Sequence, residues 1–195
     1  HGLGSSTRVL SGRSGTYARE LPPALPADVL APRWPSAGGV AAFIVNLSRA
    51  VRRHNIDLIF TNGFTIGRLA LLLRVLNPFG LPRKTRVIVV ERNTFSVALR
   101  DRFPNFLARW FLLRLTRWLY RRADGIVGVS EGVSRDLERM LRLPAGSVTT
   151  IYNPIDTDRI SAAIKETVPE PLERAFEAIP RPIVITTGRL VRAKA

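Results

Sequence analysis

The chain has no cysteine. Disulfides and thiolate metal ligands are thereby excluded, and the composition fits a cytosolic protein without requiring one. Histidine is nearly absent, with only His1 and His54 present. A protein zinc site is therefore not expected, because such sites draw on clustered cysteine, histidine and carboxylate ligands. Lysine is scarce as well: three lysines stand against 27 arginines. Acidic side chains number 15 against 30 basic ones, leaving a formal net charge of +15. No uninterrupted apolar run approaches the roughly 18 residues of a membrane-spanning helix. The opening stretch "HGLGSSTRVLSGRSG" has neither the apolar core of an export signal nor a clear strand, and residues 1–38 read as an irregular or altered segment.

What remains is ample for a folded protein. With 46% hydrophobic residues over 195 positions, the chain holds one large domain, or one domain and part of another. The charge excess favours an anionic contact such as nucleic acid, acidic lipid or a phosphorylated substrate. The plain alternative is that much of the arginine reflects the base composition of the genome.

After a proline-rich passage at residues 21–35 the pattern becomes regular. "GGVAAFIVNLSRAVRRHN" predicts a helix, "IDLIFTN" a strand, "TIGRLALLLRVLN" a helix and "RVIVVE" a strand. A long helix follows from Asn105 to Arg122, then strand "GIVGVS", helix "SEGVSRDLERML" and strand "SVTTIY". Apolar strands alternating with helices predict an α/β fold, a Rossmann-like parallel sheet with helices on both faces. Residues 39–152 form this domain. Residues 153–182, with "NPIDTDRI" and the proline-punctuated "VPEPLERAFEAIPRP", read as a linker in which Asp156 or Thr157 caps a short helix. "PIVITTG" then opens a second Rossmann-like domain at 183–195.

Ligands of open parallel sheets bind beyond the carboxyl ends of the strands. The candidate cleft residues are therefore Asn62, Gly63, Glu91, Arg92, Asn93, Ser130, Glu131 and Asn153, with Gly188 and Arg189 after the last strand. Each has a structural alternative. Ser130 suits a helix N-cap, Gly63 and Gly188 suit turns, and Glu91 with Arg92 suits an internal ion pair.

The order "VVERN", "YRRADGIVGVSEGVSRDLERML", "IYNPID" and "PIVITTGRLVRAKA" resembles family 4 glycosyltransferases, group 1 enzymes with the two-domain GT-B architecture. The resemblance spans Gly39 to Ala195. It implies retaining transfer of a sugar from a nucleotide-diphosphate donor to an acceptor, with no bound metal. The terminal "GRLVRAKA" is similar to the family's donor loop, which implies that Gly188, Arg189 and Lys194 contact the donor diphosphate. Cations there stabilise charge that develops as the diphosphate departs. Three departures stand out. The family's Glu-x7-Glu pair is missing, no paired-glycine loop follows an early strand, and Arg92 stands where many relatives carry histidine. Arginine stays protonated and cannot serve as a base, so Arg92 is assigned to an anionic acceptor or product phosphate. The chain is accordingly expected to be a fragment, most of an acceptor-side domain and the start of a donor domain, with little transferase activity alone.

The helix "NFLARWFLLRLTRWLYRRAD" raises a separate expectation. At 100° per residue, Phe111, Leu115, Trp118 and Leu119 form one stripe, and Trp110, Arg114, Arg117 and Arg121 lie together. From Arg100 to Arg122 there are seven arginines and one aspartate, a balance of +6. One reading packs the stripe against the sheet and leaves the arginines solvated. The other sets Trp110, Arg114, Arg117 and Arg121 on an anionic membrane surface, consistent with the lipid-linked or envelope-polysaccharide acceptors of many relatives. A cytoplasmic protein peripheral to the inner face of the membrane is then expected. A nucleic-acid-binding module is the competing class, but no recognised motif occurs and no specific nucleic-acid partner is expected. A non-catalytic remnant with membrane affinity is the third.

Overall fold

The computed structural model describes residues 9–11, 27–29, 37–77, 82–167, 170–177, 179–180 and 182. The strand expected at 183–188, and with it the start of a second domain, lies outside them. The chain divides into two compact units, His1–Asn153 and Pro154–Ala195.

The first unit holds two parallel sheets. Strands β1 (Val9–Ser11) and β2 (Ala27–Val29) pair with each other, inside the segment that lacks a regular sequence pattern. The larger sheet runs β3 (Leu58–Asn62), β4 (Arg86–Glu91), β5 (Gly125–Gly128) and β6 (Thr149–Thr150), in chain order and all parallel. Helix α1 (Ala37–Arg53) precedes it, and α2 (Phe64–Leu76), α3 (Phe95–Arg102), α4 (Phe106–Tyr120) and α5 (Glu131–Leu141) occupy the crossovers. The fold is thus α/β, a Rossmann-like parallel sheet flanked by helices.

Strands laid down in one direction by right-handed crossovers place their connecting helices on one face. The register bears this out. Thr61, Val89 and Ile126 stand side by side, as do Glu91 and Gly128, all on one face of the sheet. Helix α2 packs there through Gly67, whose missing side chain leaves room for Val89 and Thr61. Helix α5 packs there through Ser134, directly over Gly128. Val87, Val89, Leu71, Leu137 and Leu141 are fully enclosed between sheet and helices, each contributing about 1.5–3 kcal/mol by leaving water.

Local signals set the helix ends. The Asn105 side chain accepts from the backbone N–H groups of Leu107 at 2.8 Å and Ala108 at 3.4 Å, starting α4. Asn77 and Arg142 close α2 and α5 in the left-handed conformation. Asp124 binds the start of β4 to the turn before β5: its carboxylate accepts from Val87 N at 2.7 Å and pairs with Arg74. Helix α3, which sequence patterning does not reveal, is held by tertiary contacts. The Phe95 ring packs 5.0 Å from that of Phe64, and Ser96 N donates to Asp136 Oδ2 at 2.8 Å. Strand β6 is shorter than "SVTTIY" suggests, pairing only at Thr149 and Thr150.

The second unit contains α6 (Thr157–Ala163) and α7 (Glu170–Glu177), neither with a buried residue. Asp156 caps α6 as expected, accepting from Arg159 N at 2.9 Å. Helix α7 forms within the proline-punctuated stretch because Pro171 falls in its first turn, where no N–H is needed.

Two glycines of the β5–α5 passage should respond oppositely to alanine. A Cβ on Gly128 would collide with the Ser134 hydroxyl and lie 3.0 Å from its backbone N. Gly128→Ala should therefore cost about 1–3 kcal/mol. Gly132 is helical and exposed, with nothing nearer than 3.9 Å, so Gly132→Ala should stabilise by up to about 1 kcal/mol. Urea unfolding of both variants checks the pair; equal stabilities would refute the packing at Gly128.

Candidate functional site at the carboxyl edge of the sheet

Backbone hydrogen bonds carry the sheet's geometry past its strands. Gly63 N donates to Val90 O at 3.0 Å, Val129 N to Glu91 O at 3.2 Å, and Ile151 N to Gly128 O at 3.0 Å. The candidate residues after β3, β4 and β5 are thereby aligned along one edge. Gly63 has φ +101° and opens α2. Its conformation, not crowding, calls for glycine, since a Cβ there would meet nothing within 4 Å. Asn62, Arg92 and Asn93 are exposed beside it. Asn153, exposed, ends the first unit.

Glu91 is turned the other way. It is 3% exposed, and Tyr120 of α4, 1% exposed, donates its hydroxyl to Glu91 Oε1. No ion pair forms between Glu91 and Arg92; the phenol of Tyr120 takes that place. Strand alternation explains the separation, since successive side chains leave a strand on opposite faces. Burial raises the Glu91 carboxyl to about 7, against the opposing effects of the Tyr120 hydrogen bond and the nearby Arg68 cation. Burial also pushes the Tyr120 hydroxyl well above its ordinary range, with the Glu91 charge adding to it.

Arg68, on the first turns of α2, completes the group. Its guanidinium lies 3.6 Å over the Phe64 ring, and its Nε donates to Phe64 O at 3.0 Å. Burial lowers it to about 10, with the Tyr120 and Glu91 charges acting in the opposite sense, so it remains cationic at neutral pH. Arg68 and Tyr120 were not legible as site residues. An arginine inside the apolar run "TIGRLALLL" is the one sequence signal for Arg68, and Tyr120 is in the sequence simply part of the basic helix.

After β5, the structural alternatives are realised. Ser130 Oγ accepts from Val133 N at 3.3 Å and caps α5. Glu131, exposed, pairs with Arg135 at 3.3 Å and supplies the negative charge favoured in a first helical turn. Ser134 Oγ and Thr150 Oγ1 share a hydrogen bond of 2.8 Å that joins α5 to β6. Gly188, Arg189 and Lys194 lie outside the described residues. Among the described residues, no three histidine, cysteine or carboxylate side chains form a group fit to hold a metal.

Of the four basic-helix candidates, Trp110, Arg114 and Arg117 lie on α4 and Arg121 is its C-cap. Trp110, Arg114 and Arg121 are exposed and Arg117 is half-buried. The expected apolar stripe splits: Leu119 is buried and Leu115 partly so, while Phe111 and Trp118 face solvent. The buried side of α4 is instead Thr116, Leu119 and Tyr120, with Leu112 and Leu113 beside them. The shift arises because Tyr120 is drawn inward to Glu91.

Glu91 makes stability depend on pH. Its carboxyl sits at about 7 when folded against an ordinary 4.5, so the folded state holds the proton more tightly. That contribution is full below pH 4.5 and is lost as pH rises through 7, a fall on the order of 3 kcal/mol. Glu91→Gln keeps an acceptor for Tyr120 and should flatten this part of the profile, so that it gains on the parent at pH 8. Urea midpoints at pH 5 and pH 8 test it; an unchanged pH dependence in the variant would assign the effect elsewhere.

A search of the curated proteins finds no match. The family model described as Glycosyltransferase Family 4 matches residues 4–159, which includes every strand of both sheets and reaches well before Gly39. The chain belongs to Glycosyltransferase Family 4.

Proposed function

We propose that this chain supplies the acceptor-side domain of a GT-B enzyme that moves a sugar from a nucleotide-diphosphate donor, with retention, to a lipid-linked or envelope-polysaccharide acceptor. The observation that carries the reading is the carboxyl edge of the family-matched sheet, where Arg92 and Asn93 stand exposed beyond the locked-in carboxylate of Glu91. Arg92 offers a permanent charge and a planar fork of donors, which suits an acceptor or product phosphate. Asn62, Gly63, Asn93, Ser130, Glu131 and Asn153 would line the same edge as polar contacts for a saccharide. Ser130 can do so through its remaining hydroxyl capacity while it caps α5.

The donor end of the reaction falls to Gly188, Arg189 and Lys194. Bond cleavage leaves a nucleoside diphosphate whose negative charge grows toward the transition state. Fixed cations there lower the barrier because they bind that state more tightly than the intact donor. No Glu-x7-Glu pair occurs in the sequence. We therefore take the 195-residue chain by itself to lack robust transfer.

Calorimetric titration with a short-chain polyprenyl-diphosphate sugar tests the acceptor assignment. The chain should bind it, and Arg92→Ala should weaken binding about tenfold or more, the scale of a lost hydrogen bond to a charged group. Arg135→Ala, away from the edge, should not. Absence of binding, or equal affinity in Arg92→Ala, would remove the acceptor role. Efficient turnover of nucleotide sugars by the chain alone would overturn the inactivity.

A further inference from the structure

Helix α4 has an inner face packed into its domain and an outer face whose large apolar side chains are exposed. The inner face is sealed by Thr116, Leu119 and Tyr120. The outer face begins with apolar side chains that a soluble surface does not need: Phe106 is 68% exposed, Leu107 70%, Trp110 49% and Phe111 63%. One or two turns on, it becomes a field of arginine. Arg114 lies 4.4 Å over the Trp110 ring and Arg122 lies 4.0 Å over the Trp118 ring. Arg117, Arg121 and Arg142 gather next to them. Arg117 Nη2 donates to Met140 O and Arg121 Nη2 to Arg142 O, each at 3.2 Å, which pins the guanidinium groups onto the end of α5. No carboxylate pairs with any of these five arginines among the described residues. Arg117 is lowered from its ordinary value, by desolvation first and then by the Arg142, Arg121 and Arg114 cations. The cluster is thus short of negative charge.

We infer that this face of α4 is a membrane-docking surface, which lies on a bilayer rich in anionic lipid with Phe106, Leu107, Trp110 and Phe111 in the headgroup–acyl boundary and Arg114, Arg117, Arg121 and Arg122 on lipid phosphates. Charge complementarity selects the occupant. A second copy of the chain would press arginines on arginines. Nucleic acid would satisfy the arginines and could stack on the tryptophans, but it has no use for exposed Phe106 and Leu107. A bilayer interface takes both halves: tryptophan and arginine suit the headgroup level, and the apolar row suits the layer beneath. At 15 residues, α4 is about 22 Å long, and no helix among the described residues is long and apolar enough to cross a membrane. It therefore lies in the plane. The inference needs no transferase activity and stands apart from the acceptor assignment to Arg92.

Vesicle co-sedimentation of the whole chain tests it, using neutral phosphatidylcholine vesicles and vesicles with about a third phosphatidylserine or phosphatidylglycerol. Binding should require the anionic lipid and be accompanied by a blue shift of tryptophan emission. The triple variant Arg114→Gln, Arg121→Gln, Arg122→Gln should lose about a hundredfold in partitioning, since each cation near the surface contributes about fivefold. The control triple Arg49→Gln, Arg53→Gln, Arg86→Gln removes the same charge from other exposed positions and should retain nearly all binding. The charge-neutral pair Trp110→Ser, Phe111→Ser should also weaken binding, and decides the matter if the first triple fails to fold. Equal loss in both triples, equal binding to neutral vesicles, or duplex DNA bound where anionic vesicles are not, would each overturn the docking surface.

Discussion

The hydrogen bond from Tyr120 to Glu91 is the contact on which the arrangement of the site depends. A carboxyl sequestered from water at a strand end is costly unless something donates to it. Here the donor comes from α4, so the end of β4 and the last turn of that helix are bound by the same group. Arg68 extends the tie to α2, because its guanidinium is stacked on Phe64 while its charge acts on Glu91. Phe64 in turn packs on Phe95, and Ser96 donates to Asp136 of α5. Polar groups buried in this way are expensive to disturb. They fix four helices around the carboxyl edge of the sheet more sharply than apolar packing alone would.

The same contact determines what α4 shows to solvent. A helix that commits Tyr120, Leu119 and Thr116 to its own domain turns the residues about half a turn away outward, and these are tryptophans, phenylalanines and arginines. Had the stripe of Phe111, Leu115, Trp118 and Leu119 faced the sheet, the aromatics would have been core. Tyr120, held inward by its hydrogen bond to the buried Glu91 carboxyl, turns a different face of the helix toward the domain. The amphipathic outer face therefore follows from polar satisfaction within the domain.

This competition also marks where the sequence was legible. Short apolar runs and helical patterns located β3, β4, α1, α2, α4 and α5 to within a few residues, because their apolar signal is strong. The caps at Ser130 and Asp156 could be read for the same local reason. Helix α3 could not, since it is short and depends on Asp136, forty positions later. The short pairing of β1 with β2 is non-local in the same sense. At the site, strand ends pointed to Glu91 and Arg92, but their division of labour was hidden. It depends on Tyr120 and Arg68, whose meeting is a fact of packing rather than of spacing.

That division of labour constrains the proposed chemistry. Of the adjacent pair at the end of β4, the residue able to exchange a proton near neutrality is Glu91, and it is enclosed behind Tyr120. The residue that reaches solvent is Arg92, which does not release its proton. An acceptor hydroxyl at this edge would meet a fixed cation and no base from β4. In the proposed transfer, Arg92 can then orient a phosphate and stabilise its charge, but the proton of the attacking hydroxyl must leave by another route. The departing diphosphate, whose oxygens become more basic as the sugar bond lengthens, is placed by the reaction itself on the side where bond formation occurs if configuration is retained. A protein base from this strand is unnecessary on that account, and arginine in the histidine-bearing slot is compatible with transfer.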